Sequence, residues 1–196
     1  MKIFIAGHRG MVGSALVREA KALGDYEIQT ATRSELDLLY HSAMPTNLYG
    51  PGDNYHPENA HVIPALIRRF HEAKERGDDK VTIWGTGTPC HEFLHVDDLA
   101  KACFHLLDLE NPADWVNVGV GEDIAILELA RLIAKMVGFE GTVKTDPSKP
   151  DGTPRKLLNT DRLKKSGWSP AISLPVGLAD ACRDFQATLG KGTARL

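Results

Sequence analysis

The residues best suited to chemistry begin with Gly7, Gly10 and Gly13, spaced Gly-x-x-Gly-x-x-Gly between a short apolar run (Ile3, Phe4, Ile5) and the helical stretch Ser14 to Ala20. In a strand-turn-helix context such glycines have separate tasks. One allows the tight turn, one lets backbone approach a pyrophosphate, and one lets the helix pack close to the sheet. The phosphate then rests on unpaired N–H groups at the helix N-terminus. The spacing points to dinucleotide binding; a plain structural turn is the alternative. Arg9 lies inside this turn, and Thr32-Arg33 falls where the second strand should end. An acid there would hold the ribose 2′-hydroxyl of NAD, whereas arginine accommodates a 2′-phosphate. The two arginines favour NADP, with solvated surface arginines as the alternative because Glu35 and Asp37 follow. His91-Glu92-Phe93-Leu94-His95, beside Cys90, matches the zinc-hydrolase string His-Glu-x-x-His. That string works on a helix, where both imidazoles face one zinc. Gly85, Gly87 and Pro89 precede it and the helical pattern starts only after it, so zinc hydrolysis is a remote alternative and no metal is expected.

The elements that must position these residues follow from local patterns. Gly24 is placed to end the first helix, and Tyr26 to Ala31 reads as a second strand, completing a βαβ unit. Met44 to Gly52 (MPTNLYGPG) reads as a proline-bearing loop that interrupts the sheet. Apolar residues at helical spacing resume from Ala60, Lys80 to Trp84 reads as a strand, and Asp97 to Leu107 as a helix with an acid at its start. Trp115 to Val118 and Thr142 to Thr145 read as strands, and Ile124 to Val137 as an amphipathic helix ended by Gly138. Pro147 to Pro154 is loop, Thr160 is expected to cap a short helix, and Ser173 the last one. With 196 residues and a net charge of -3, the chain can bury a real core and has no basic excess to suggest nucleic acid as a partner. No apolar run is long enough for a membrane helix, and three widely spaced cysteines suit a reducing compartment, so the cytoplasm is expected.

Longer strings carry a resemblance. FIAGHRGMVGSA, MPTNLYGPGDNYHPENAHVIPALIRRFHEA, WGTGTP, EFLHVDDLA, NVGVGEDIAILELA and SKPDGTPRKLLNTDRL closely resemble the GDP-L-fucose synthases, NADP-dependent epimerase-reductases of the extended short-chain dehydrogenase type. These enzymes epimerise GDP-4-keto-6-deoxymannose at two sugar carbons and then reduce the 4-keto group with NADPH. The resemblance implies that Gly7, His8, Arg9, Gly10, Met11, Val12 and Gly13, together with Arg33, Ser34, Glu35, Leu36, Asp37 and Leu38, contact NADP. It further implies that Pro45, Thr46, Asn47 and Leu48 line the nicotinamide side, and that His61 lies near the cofactor as the epimerising acid or base. As an isolated residue His61 reads as a helix-start histidine. By the same resemblance Arg69, Trp84 and Asp151 hold the GDP-sugar; without it Arg69 is a solvated helix end and Trp84 a core aromatic. His91 stands where the family has an arginine, which weakens the hold on a diphosphate.

The resemblance breaks between Leu39 and Tyr40, where a long internal segment of the family is missing. That segment would carry several strands and helices of the nucleotide domain, the active-site serine, the Tyr-x-x-x-Lys pair and the epimerising cysteine. Ketone reduction needs an acid at the carbonyl oxygen, and a tyrosine serves if a nearby lysine lowers its pKa. Tyr26 is followed four residues on by Thr30, Tyr40 by Met44, Tyr49 by Asp53 and Tyr55 by Asn59, so no tyrosine has the pairing. The expectation is therefore an α/β fold: a truncated Rossmann-like doubly wound parallel sheet with a smaller C-terminal α/β part. Residues 1–43 would form the partial dinucleotide-binding half and 44–196 the rest. Its function is that of a GDP-L-fucose synthase-like protein inactive by itself, with a non-catalytic NADP or nucleotide-sugar binding module as the alternative. Loss of middle strands would leave the first strand with an open edge, through which a homodimer could form.

Overall fold

A computed structural model describes residues 2–31, 42–110, 113 and 115–195. The first strand, β1 (Lys2–Ala6), turns through the glycines into helix α1 (Met11–Leu23) and returns as β2 (Glu27–Ala31), parallel to β1 in the register Lys2 to Glu27. Gly24 ends α1 in the left-handed region at φ 77°, and its N–H bonds back to the Ala20 carbonyl, as the glycine signal requires. Among the described residues β1 pairs only with β2.

The stretch expected to be a loop at 44–52 is instead two strands, β3 (Ser42–Pro45) and β4 (Asn47–Tyr49). Pro45 hid them. It ends β3 where a missing N–H costs nothing, and the next amide, Thr46, donates to the Val118 carbonyl at 3.0 Å and keeps the chain in the ladder. β3 pairs in parallel with β8 (Trp115–Val118), and β4 with β7 (Phe93–His95). Strand β5 (Lys80–Trp84) pairs in parallel with β10 (Thr142–Asp146). The short β6 (Cys90–His91) takes β11 (Arg155–Lys156) in parallel on one side and β9 (Ile124–Ala125) in antiparallel on the other. The class is α/β and Rossmann-like, as expected, but its parallel sheet is divided into short ladders.

Helices supply the core that these ladders cannot. The largest cluster joins α2 (Val62–Arg76), α4 (Ile126–Val137) and α6 (Leu174–Gly190) through Ile63, Ile67, Phe70, Leu129, Ile133, Leu178 and Phe185, all at most 2% exposed. The N-terminal unit attaches by a second route. Small residues Ala15 and Ala100 let α1 lie against α3 (Val96–Leu107), Phe104 packs on Ile5 and Ala20, and Arg18 pairs with Asp97 across the two helices. Helix α3 starts one residue earlier than the acid signal suggested. His95 is its N-cap, and Asp97 and Asp98 lie in the first turn. The expected caps Thr160, before α5 (Asp161–Lys165), and Ser173, before α6, hold the N-cap position but make no side-chain cap bond.

Gly177 in α6 faces β4 so closely that a Cβ there would lie 2.3 Å from the Tyr49 hydroxyl and 3.0 Å from the His95 ring. In an exposed helix, replacing glycine with alanine gains up to about 1 kcal/mol. Here the collision reverses the sign, and Gly177→Ala should destabilise by about 1–3 kcal/mol, read as a lower urea midpoint.

Candidate functional site

At the glycine turn, Gly7 sits at φ 64° and its carbonyl accepts the Gly10 N–H at 2.8 Å. A Cβ on Gly13 would lie 2.2 Å from that same carbonyl oxygen, so only glycine lets the helix begin against the strand end. Gly10 is the N-cap of α1 and has no side chain to close it, and the first intrahelical bond runs from Ser14 N–H to the Gly10 carbonyl. The amides of Met11, Val12 and Gly13 are thus left for a ligand, and the arrangement fits a dinucleotide pyrophosphate. His8 is half-buried and Arg9 exposed beside this turn. Arg33, Ser34, Glu35, Leu36, Asp37 and Leu38 lie outside the described residues, as does the Leu39-Tyr40 junction.

Each of the four residues expected to hold a nucleotide-sugar lies on, or bonds to, one strand and its following turn or one loop. Arg69, on α2, donates from Nη1 to the Thr82 carbonyl of β5 at 3.1 Å. Two residues along that strand Trp84 stands 66% exposed, with the Lys149 ammonium 5.8 Å above its ring, and is not a core aromatic. Asp151 accepts from Thr86 N–H and from Thr86 Oγ1, each at 2.8 Å, and packs so tightly that Gly85 could carry no Cβ. The same loop supplies the Thr153 carbonyl, 2.9 Å from His91 Nε2. His91 also lines a cavity of about 660 Å³ with Phe93, Asp123, Ile124 and Lys164.

Glu92 is the residue whose role the sequence does not announce. Its side chain is fully buried, and its carboxylate accepts from Gly121 N–H at 2.7 Å and from Leu158 N–H at 3.0 Å. Its carbonyl accepts from Asn47 Nδ2 at 2.8 Å and Thr46 Oγ1 at 3.3 Å. Of the four expected nicotinamide-side residues, Thr46 and Asn47 are therefore fixed by Glu92, while Leu48 packs into the core and Pro45 is exposed. A zinc-hydrolase arrangement is not formed. His91 and His95 lie on β6 and β7 rather than on a helix, and four residues of extended chain span roughly 13 Å. His95 is buried, accepts the Asp97 N–H at Nδ1, and turns Nε2 to within 3.5 Å of Asp180. No group of three or more His, Cys, Asp or Glu among the described residues is placed to hold a metal. All three cysteines are free, and burial pushes the Cys103 and Cys182 thiols up to about 11.

His61 is the N-cap of α2, exposed, and uses no ring nitrogen to cap the helix. Asp53, which the sequence reading passed over, lies on the loop leading to it. Asp53 is 5% exposed; Oδ1 accepts the Asn54 N–H at 2.7 Å, and Oδ2 has no partner. Burial raises its carboxyl to about 6, against the lowering effects of the Asn54 N–H, His61 and Arg195. A Cβ placed on the preceding residue, Gly52, would lie 3.9 Å from Met11 Cα and from Ser14 Oγ in the first turn of α1.

The sequence profile of the NAD dependent epimerase/dehydratase family matches residues 19–119. The chain belongs to that family. Over 138 residues it is 58% identical to GDP-L-fucose synthase 1 of Arabidopsis thaliana, covering 70% of this chain and 43% of the relative. Over 156 residues it is 54% identical to GDP-L-fucose synthase of Escherichia coli (strain K12), covering 74% and 48%. The chain is thus GDP-L-fucose synthase-like and spans about half the length of the curated relatives it matches. A GDP-D-glycero-L-gluco-heptose synthase from Campylobacter jejuni, solved in the presence of NADPH, shares the fold at TM-score 0.81 and 20% identity, covering 95% of this chain and 98% of that one. A GDP-L-fucose synthetase from Naegleria fowleri bound to NADP does so at TM-score 0.71 and 23% identity, covering 95% and 55%.

The raised Asp53 carboxyl carries a signed consequence. The folded chain binds this proton more tightly than the unfolded chain, so stability is highest at low pH and falls as pH rises through about 6. Asp53→Asn removes that loss. It should raise stability by about 1–3 kcal/mol at pH 7.5 and by nothing measurable at pH 4, as read from paired urea titrations. Glu92→Gln presents an amide N–H₂ to a backbone donor and should cost about 1–3 kcal/mol at neutral pH, measured in the same way.

Proposed function

We propose that the chain holds NADP at the first turn of α1 and a GDP-sugar along the face formed by Arg69, Trp84, His91 and Asp151, as a GDP-L-fucose synthase-like polypeptide that does not complete hydride transfer by itself. The observation that supports this reading is that Arg69 and Asp151 both bond to the segment 82–86 that carries Trp84, while His91 bonds to Thr153 on the loop that carries Asp151. The four residues come from α2, β5, β6 and the loop before β11.

Each residue has a physical task in this reading. The amides of Met11, Val12 and Gly13 bind the cofactor pyrophosphate, and the absence of a side chain at Gly10 leaves them open. When bound, the nicotinamide supplies the hydride. Arg69 presents a planar fork suited to a diphosphate, and the exposed face of Trp84 suits a purine. Asp151 fixes the turn after Trp84 through Thr86. His61, free of any capping bond, acts as the proton donor or acceptor in epimerisation. The oxygen left by hydride transfer needs an acid beside it, and no tyrosine in the chain has lysine four residues on.

The long relatives contain more chain than this one, and the internal segment expected between Leu39 and Tyr40 is where we place the difference. The edge of β1 away from β2 is the surface through which we expect two copies to pair, and the cytoplasm is the expected compartment. No helix among the described residues is long and apolar enough to cross a membrane.

Calorimetry with NADPH and with GDP, followed by absorbance of NADPH in the presence of GDP-4-keto-6-deoxymannose, tests the reading. Both ligands should bind, and NADPH should not be consumed. Steady turnover would overturn the inactivity, and failure of both ligands to bind would remove the function altogether.

A further inference from the structure

Beyond α6 the backbone reverses at Gly192, which sits at φ 65° and donates its N–H to the Leu189 carbonyl at 3.0 Å. The next two amides, Thr193 and Ala194, both donate to the Thr188 carbonyl, at 2.9 and 3.1 Å. A terminal segment without such anchors frays. This one is folded back onto the loop after β4, where Arg195 contacts two residues three apart. Its carbonyl accepts the Tyr55 N–H at 2.8 Å, and its Nη1 donates to the Gly52 carbonyl at 3.2 Å.

Residues 52–55 need support from outside. Gly52 is at φ 80°, and the bonds inside the loop are local, from the Asn54 N–H to Asp53 Oδ1 and from the His56 N–H to Asn54 Oδ1. Among the described residues, four bonds tie the backbone of 52–55 to other elements. Asp184 of α6 accepts the Gly52 N–H at 3.0 Å, Arg68 of α2 donates to the Tyr55 carbonyl at 2.9 Å, and Arg195 supplies the other two. The Tyr55 side chain is a further anchor, buried with its ring 4.5 Å from that of Phe185. The loop held in this way lies against the glycine turn, since a Cβ on Gly52 would meet Met11 Cα and Ser14 Oγ at 3.9 Å.

We propose that residues 192–195 are a strap that sets this loop against the first turn of α1 and so steadies the NADP cradle, with Arg195 as the positioning residue. The proposal rests on the NADP reading given above for what the cradle holds, while its mechanical part concerns the ligand-free chain. Arg195 acts through Gly52 and Tyr55 and not on the cofactor itself. The contact between the loop and α1 exists only while the N-terminal unit is closed, so a loop held in place favours the closed form, and a loosened loop gives up part of that bias. In this arrangement the last residues of the chain bear on a turn formed by the first.

Hydrogen exchange on the ligand-free chain tests this, comparing the intact protein with a variant ending at Lys191 and with Arg195→Ala. The Gly10 and Ser14 amides are the reporters, because each is bonded while the turn is formed, to the Gly7 and Gly10 carbonyls at 2.8 and 2.9 Å. Loss of both Arg195 bonds should speed their exchange by roughly threefold to tenfold. Arg195→Ala removes one of the two and should speed it less, and the Leu129 and Ile133 amides of α4 should keep their rates. Calorimetry should then show NADPH binding weakened by a similar factor in the variant ending at Lys191, with GDP binding unchanged. Unchanged exchange at Gly10 and Ser14 in that variant overturns the proposal, as does NADPH binding that is present and unweakened. An equal acceleration in α4 also overturns it, since the tail would then support the fold in general. If the variant ending at Lys191 does not fold, Arg195→Ala decides on the same criteria. If the intact chain binds no NADPH, the reading of the cradle fails, while the exchange rates still decide the strap.

Discussion

The buried Glu92 is the constraint on which the site depends. It stands between β6 and β7, and its four acceptor contacts tie β4, the glycine loop after β8 and the segment after β11 to one point. A carboxylate in the interior is costly unless its oxygens are hydrogen-bonded, and here a backbone N–H group meets each of them. The nearness of Gly119 shows how little room is left: a Cβ there would lie 2.4 Å from Glu92 Oε1. The loop carrying Asp123 into the cavity and the strand end carrying Thr46 and Asn47 are therefore placed by the same side chain. Asp98 performs a parallel service for the last segment, accepting Ala171 and Ile172 N–H groups at 3.0 and 2.7 Å and bringing α6 to its position over β4.

In the reading proposed above, binding and catalysis separate because they depend on different parts of a Rossmann-like fold. A phosphate cradle needs a strand, a turn and the start of a helix, all within the first residues of the chain. The proposed nucleotide-sugar face draws on the elements from α2 onward, whose helices are well packed. Ketone reduction needs an acid held by the middle of the sheet, and the sequence has none with the required neighbour. Family membership describes the scaffold, while the chemistry lies in particular side chains.

Much of the scaffold was legible from local patterns. Lys80–Trp84 and Trp115–Val118 are strands as read from the sequence, and Gly24 and Gly138 end their helices because a left-handed C-cap has a clear glycine signal. Pro45 concealed β3 and β4, because the harm a proline does to a ladder depends on which side of the strand faces a partner, and sequence does not show that. Glu92 and Asp53 were hidden for a related reason. A carboxylate looks solvent-facing in a sequence, and only tertiary contacts reveal that backbone amides 29 and 66 residues away come to meet Glu92. The Arg69, Trp84 and Asp151 grouping was available only through resemblance, since nothing in their spacing brings them together.

The single-partner ladder of β1 bears on how tightly any ligand at the glycine turn can be held. Among the described residues, β1, α1 and β2 are attached to the rest chiefly through the α1–α3 contact and not by a continuous sheet. A unit joined through one helix pair opens at lower free energy than the core around α2, α4 and α6. Whatever fraction of molecules has that unit open at a given moment does not present the cradle. The observed affinity is the intrinsic one scaled by the closed fraction, and a ligand that binds there also acts as a clasp on the N-terminus.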